Sequence, residues 1–117
     1  SGGPDGPRAQ IDPGKFDYLF GRVTGPHNGP RSAQNAAQLA RVGVHDTPAG
    51  RRLLQEHFDD AIARTDNVLD SWTNQHGRFE VRDSLFSGPG GFLHFESTWQ
   101  VLDGVMRMTT VIPKGGR

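Results

Sequence analysis

"FLHFESTWQVL" (92–102), the pair Asp103-Gly104 and "VMRMTTVIP" (105–113) together decide the fold. Apolar residues alternate with polar ones through both runs, the period of a half-buried strand. Asp-Gly between two such runs is the two-residue signal of a hairpin with a type I′ turn. Just upstream, "RFEVRDSLF" (78–86) alternates in the same way, and "SGPGG" (87–91) reads as the connection. "NVLDSWT" (67–73) is compatible with a further strand and "NQHG" (74–77) with its turn. The second half of the chain is therefore an antiparallel meander of three to four strands.

Upstream of the meander the period changes to helical. Thr47 suits an N-cap and Pro48 a first helical position. Leu54, Phe58, Ala61 and Ile62 then form an apolar stripe that fades near Thr65. A second helix is expected from Pro30 and Arg31 to Val42, with Gly43 as its stop. Along it Ala33, Ala36, Ala37 and Ala40 share one face, and Arg31, Gln34, Asn35 and Gln38 another. Helices followed by strands give an α+β fold, two N-terminal helices packed on one face of a three- to four-stranded antiparallel sheet.

At 117 residues the chain holds one domain. Its opening "SGGPDGPRAQIDPG" is dense in Gly and Pro, so residues 1–14 read as a leader from a larger protein and residues 15–117 as the folded domain. No apolar run approaches the roughly 20 residues of a membrane span. Cysteine is absent, which removes disulfides and thiolate metal sites. Lys plus Arg equals Asp plus Glu, 13 of each, so nucleic acid would have to be met by a local patch. The histidines show no ligand spacing of the HExxH kind, and neither a GxSxG elbow nor a Walker loop occurs. No metal and no cofactor are expected.

Alternation divides the sheet into two faces. Phe79, Val81, Leu85, Leu93, Phe95, Trp99, Val101, Met106, Met108 and Ile112 are expected to meet the helices. Glu80, Arg82, Ser84, His94, Glu96, Thr98, Gln100, Arg107 and Thr109 are expected on the open face. An open antiparallel face is commonly just wet and polar. A glutamate, a histidine, two arginines and hydroxyls are also the parts that cleave RNA without a metal: two proton-transfer groups and cations for the phosphorane. His45 and His76 fall in turns, and His57 is expected on the polar side of its helix. Trp72 and Trp99 read as packing residues, while Tyr18 is compatible with either the core or base stacking.

Before the first helix stands "GRVTGPHNGPRSAQNAAQLARVGV" (21–44), with His27 and Asn28 ahead of the helix start and Arg31 just inside it. Free N–H groups and the dipole at that end favour an anion. Equally, His27 could cap a turn and Arg31 pair with a surface carboxylate.

The run "KFDYLFGRV…HNGPRSAQNAAQL…GV", with "LLQEHF" after it and "TTVIP" near the end, resembles a family of toxin domains at the C-termini of bacterial polymorphic toxins. These include contact-dependent inhibition proteins, and relatives occur beside phage minor head proteins. The resemblance spans residues 15 to 114 and is most specific in "FDYLFGRV" and "HNxxRSxQN". It implies a delivered toxin, similar in fold to the barnase, EndoU, colicin and RelE group of ribonucleases. Carried over by position, His27, Asn28, Arg31, Ser32 and Gln34 belong to the first matching segment, and Thr109 and Thr110 to the last strand. The expectation is metal-independent transesterification of RNA, with His27 transferring a proton, Arg31 clamping the phosphorane and Thr109 bonding a phosphate oxygen. His94 and Glu96 are the second acid–base candidates. Arg22 and Lys114 are expected on backbone phosphates, with Asn28, Ser32, Gln34 and Thr110 also binding substrate.

The same resemblance implies a cognate immunity protein, a carrier polypeptide N-terminal to the domain, and secretion as part of that larger protein. Action would be in the target-cell cytoplasm, without membrane insertion by this domain. Balanced charge points to an RNA chosen by shape, such as a tRNA. Two other classes are compatible with the same residues. One is a toxin that consumes NAD or transfers ADP-ribose, for which "FEST" (95–98) and Arg22 would serve. The other is a non-catalytic module of a secreted or phage protein.

Overall fold

The hairpin forms where the sequence places it. In the computed structural model, which describes residues 8–114, Leu102 pairs with Val105 across Asp103-Gly104. Of the two turn residues only Gly104 carries a positive φ (71°), and among the described residues none but glycines do, so the turn is not type I′. Asp103 keeps the negative φ that a residue with a Cβ prefers.

The elements run β1 (Arg8–Gln10), α1 (Pro13–Leu19), α2 (Gly29–Arg41), α3 (Pro48–Ala63), β2 (Val68–Asn74), β3 (Gly77–Gly88), β4 (Gly91–Leu102) and β5 (Val105–Pro113). The strands form one sheet in the order β1-β5-β4-β3-β2. The fold is α+β, with three helices rather than two and five strands rather than three or four among the described residues. The sheet is mixed, because β1 lies parallel to β5 while every other pairing is antiparallel. Residues 8–14, read from sequence as leader, supply β1 and the start of α1; residues 1–7 lie outside the described residues.

α3 follows its sequence pattern. Thr47 Oγ1 accepts the Gly50 N–H at 3.0 Å, and Leu54, Phe58, Ala61 and Ile62 are buried. Phe58 meets Phe95 and Trp99 at ring distances of 5.1 and 5.8 Å, the centre of the core.

α2 does not bury its alanine face. Ser32, Asn35 and Leu39 point inward, while Ala33, Ala37 and Ala40 are exposed. Ser32 explains the rotation, since its hydroxyl donates to the Tyr18 carbonyl at 2.7 Å and accepts the Val23 N–H. Gly21, at φ 78°, brings the linking chain so close that a Cβ there would lie 3.0 Å from Ala36 Cβ.

β3 is also turned over relative to expectation. Glu80, Arg82 and Phe86 are buried toward the helices, and Phe79, Val81, Asp83 and Leu85 face away. The cause is an ion pair that the inside accommodates. Arg82 Nη2 donates to Glu80 Oε1 at 2.8 Å, and Arg82 Nη1 donates to the carbonyls of Ala61 and Arg64 and to Asn67 Oδ1. Arg82 thereby ties the end of α3 to the sheet, satisfying carbonyls that a helix terminus leaves open. Phe79 is left to stack on Trp72 at 5.6 Å on the outer face. In β5 an irregularity opposite Thr98 and Trp99 shifts the alternation, so Val111 is buried and Ile112 exposed.

Candidate functional site

β2 pairs with β3 only as far as Arg82, and β1 with β5 only over residues 105–107. One end of the sheet is therefore three strands wide, with free half-edges beyond Asp83 on one side and beyond Arg107 on the other. On the face turned away from the helices, register sets Asp83 opposite Glu96, Leu85 opposite His94, and Thr98 opposite Thr110. Asp83 Oδ1 lies against His94 Nε2, and Lys114 Nζ meets Glu96 Oε1 at 3.0 Å. The Lys114 backbone N–H also donates to the His94 carbonyl at 2.7 Å, which anchors the chain end over this cluster. His94 and Asp83 are each about two-fifths exposed, so both reach solvent. An imidazole oriented by a carboxylate, a second carboxylate and an ammonium are groups capable of proton transfer and of neutralising an anion.

Two recesses flank this end. At the β3 half-edge a cavity of about 540 Å³ is bounded by His57, Asp60, Arg64, Asp66, Asn67 and Asp83–Leu85. His57 is not on a polar helix side. It packs edge-on against Phe58 and Phe86 at 4.9 and 5.2 Å, and its Nε2 is 2.9 Å from Ser84 Oγ. Burial pushes its pKa down to about 4, with Asp60 pulling in the opposite direction. At the β5 half-edge a groove of about 320 Å³ runs between α2 and the strand end.

The remaining residues singled out from sequence scatter. His27 is exposed in the loop before α2 and has no hydrogen bond among the described residues. Asn28 is the N-cap position of α2, and its side chain makes no cap bond. Arg31 and Gln34 line the β5 groove, without His27, Thr109 or Thr110. Ser32 is fully buried in the structural bonds described above. Thr109 Oγ1 donates to the Thr98 carbonyl at 3.2 Å, and Thr110 is exposed on the outer face. Arg22 is paired with Asp46, which Arg51 also binds. The Arg51 hydrogen bond is the main reason the Asp46 carboxyl is lowered to about 2. Among the described residues no three His, Asp or Glu side chains converge as metal ligands, and no helix is long and apolar enough to cross a membrane.

No family model matches the chain, and no curated protein matches it. Among solved structures it is similar to a chain of the contact-dependent growth inhibition toxin–immunity protein complex from Klebsiella pneumoniae 342. Identity is 45%, coverage is 91% of this chain and 93% of that one, and the TM-score is 0.83. The chain belongs to the contact-dependent growth inhibition toxin family. It is a bacterial toxin domain.

In this toxin domain the residue that sequence reasoning missed is Asp83. It has the parity of Phe79, Val81 and Leu85, which alternation alone directs to the core as a set. A lone carboxylate inside that apolar series was the available signal that the strand faces the other way.

Proposed function

We propose that the toxin domain is a metal-independent endoribonuclease, and that its reaction takes place on the outer face of the three-strand end. The supporting observation is the convergence there of Asp83, His94, Glu96 and Lys114. Glu96 takes the proton of a ribose 2′-OH, O2′ attacks phosphorus, and the bond to the 5′-oxygen breaks. His94, held by Asp83, delivers a proton to that leaving oxygen, so the products are a 2′,3′-cyclic phosphate and a 5′-OH. Lys114 moves its ammonium from Glu96 to a non-bridging oxygen and stabilises charge there. His27 and Arg31 lie at the mouth of α2 and contact flanking phosphate rather than the scissile group.

The family relationship supports the remainder of the reading. The Klebsiella toxin is found in a complex with an immunity protein, and a cognate immunity chain covering this same face would silence the toxin in the cell that makes it. The domain would travel as part of a larger secreted carrier and act on RNA, a tRNA or another folded species, in the recipient cytoplasm.

The test is expression of the 117-residue chain under tight control, with mapping of RNA ends in the host. A general acid or base typically contributes about 100- to 10,000-fold. His94→Ala and Glu96→Gln should each lower cleavage by that order with unchanged urea midpoints, while His27→Ala loses less than about tenfold. Full activity in His94→Ala with loss in His27→Ala would move the chemistry to the mouth of α2.

A further inference from the structure

The groove at the β5 half-edge contains an anomaly. Asn35 is 7% exposed, and its Nδ2 donor has no hydrogen-bond partner. A buried donor left unpaired is costly, and such groups in folded proteins call for an explanation. Asn35 forms part of the groove wall.

The other polar groups of the groove are Tyr18, Arg31, Gln34 and Gln38. The side chains of Arg31 and Gln34 make no hydrogen bond or ion pair among the described residues, so both are available to a ligand. Gln38 accepts a long bond from Arg41 at 3.4 Å and keeps its amide donors. Val111, Ile112 and Pro113 give the groove an apolar side. Side-chain amides carry a donor and an acceptor side by side, the pattern on the edge of a nucleobase, and unpaired RNA bases are read by amides while stacked on aromatic or guanidinium planes. The volume of about 320 Å³ is at the small end of ligand pockets, which span roughly 300–1,000 Å³.

Position ties the groove to the proposed chemistry. Ile112, in the groove wall, is the register partner of Glu96, and Pro113 is that of Phe95. Lys114 follows directly and bonds both His94 and Glu96. A nucleotide in the groove would thus lie one strand position from the Asp83–His94–Glu96 cluster.

We infer that the α2–β5 groove is a nucleobase pocket. It holds one unpaired base beside the cleaved phosphodiester, with Asn35 bonding an acceptor on the base edge, Gln34 and Gln38 reading its neighbours, and Tyr18 stacking on its plane. This assignment builds on the ribonuclease reading and adds the element that selects sequence.

The experiment is a titration of the isotope-labelled chain with AMP, GMP, CMP and UMP, and separately with ribose 5-phosphate, followed through the side-chain amide signals of Asn35, Gln34 and Gln38. At least one nucleotide should shift these signals and ribose 5-phosphate should not. Asn35→Leu should weaken that nucleotide about tenfold while keeping or raising the urea midpoint, since it removes an unpaired donor. Gln34→Ala, at an exposed position, is the second variant and should change the preferred base at the cleavage site. Equal shifts from ribose 5-phosphate overturn base recognition, as does nucleotide binding indifferent to both substitutions. RNA cleavage with no nucleotide response in the groove overturns the pocket and leaves the ribonuclease reading intact. A nucleotide response without cleavage of any RNA upholds the pocket and overturns the ribonuclease reading.

Discussion

Acidification should destabilise this domain through His57 before the carboxylates become decisive. The ring is enclosed by Phe58, Phe86 and Phe95, and burial lowers its pKa from 6.5 to about 4. In the unfolded chain the imidazole takes up a proton as pH drops through 6.5, while in the folded chain it waits until about 4. Between those values the unfolded state binds more protons, so stability is complete above pH 6.5 and declines as pH falls toward 4. Each pKa unit is worth about 1.4 kcal/mol, which puts the full loss at about 3 kcal/mol. That is a large part of the roughly 5–15 kcal/mol that typically holds a domain together. Urea unfolding followed by tryptophan fluorescence, with Trp99 fully buried as the reporter, measures it at pH 7, 5.5 and 4. The control is His57→Gln, which stays neutral and can still bond Ser84. Wild type should lose about 3 kcal/mol more than the variant between pH 7 and 4. Parallel profiles for the two proteins would refute the argument. Asp46 contributes in a separate window, because its lowered pKa gives stability that is present above 3.8 and lost only as pH falls toward 2.

Arg82→Ala should cost about 2–3 kcal/mol in urea or thermal unfolding, because it leaves the buried Glu80 carboxylate with only the more exposed Arg78 as partner and frees the carbonyls at the end of α3. Changing both partners, Glu80→Leu with Arg82→Met, should recover much of that loss, and a double variant as unstable as the single one would show that the ties to α3 matter more than the charge. Thr47→Ala should cost about 1 kcal/mol by the same measurement, through loss of the Gly50 N–H bond.

The parts of this fold legible from sequence are those where hydrophobicity and position agree. α3 has a capping threonine, a proline at the right place and an uninterrupted stripe, and β4 alternates cleanly from Leu93 to Trp99. β3 misleads because its most apolar parity, Phe79, Val81 and Leu85, is outside, while Glu80 and Arg82 neutralise each other within. Single-strand alternation carries no knowledge of a pair that makes charge tolerable in the interior. α2 misleads for a related reason, since a hydroxyl bonded to another element outweighs a row of alanine methyls. His94, Glu96 and Lys114 were named from sequence, but their meeting with Asp83 depends on strand register, which no local pattern specifies.

The pairing of β1 with β5 joins nearly the first described residues to nearly the last. During synthesis the sheet edge at Ala9 therefore has no neighbouring strand until Met106 has left the ribosome, so closure must await nearly all of the described residues. High sequence separation of this kind slows folding. Until residues 105–107 are in place β1 is held by α3 alone, through Asp59 and Gln55, and the sheet lacks its fifth strand.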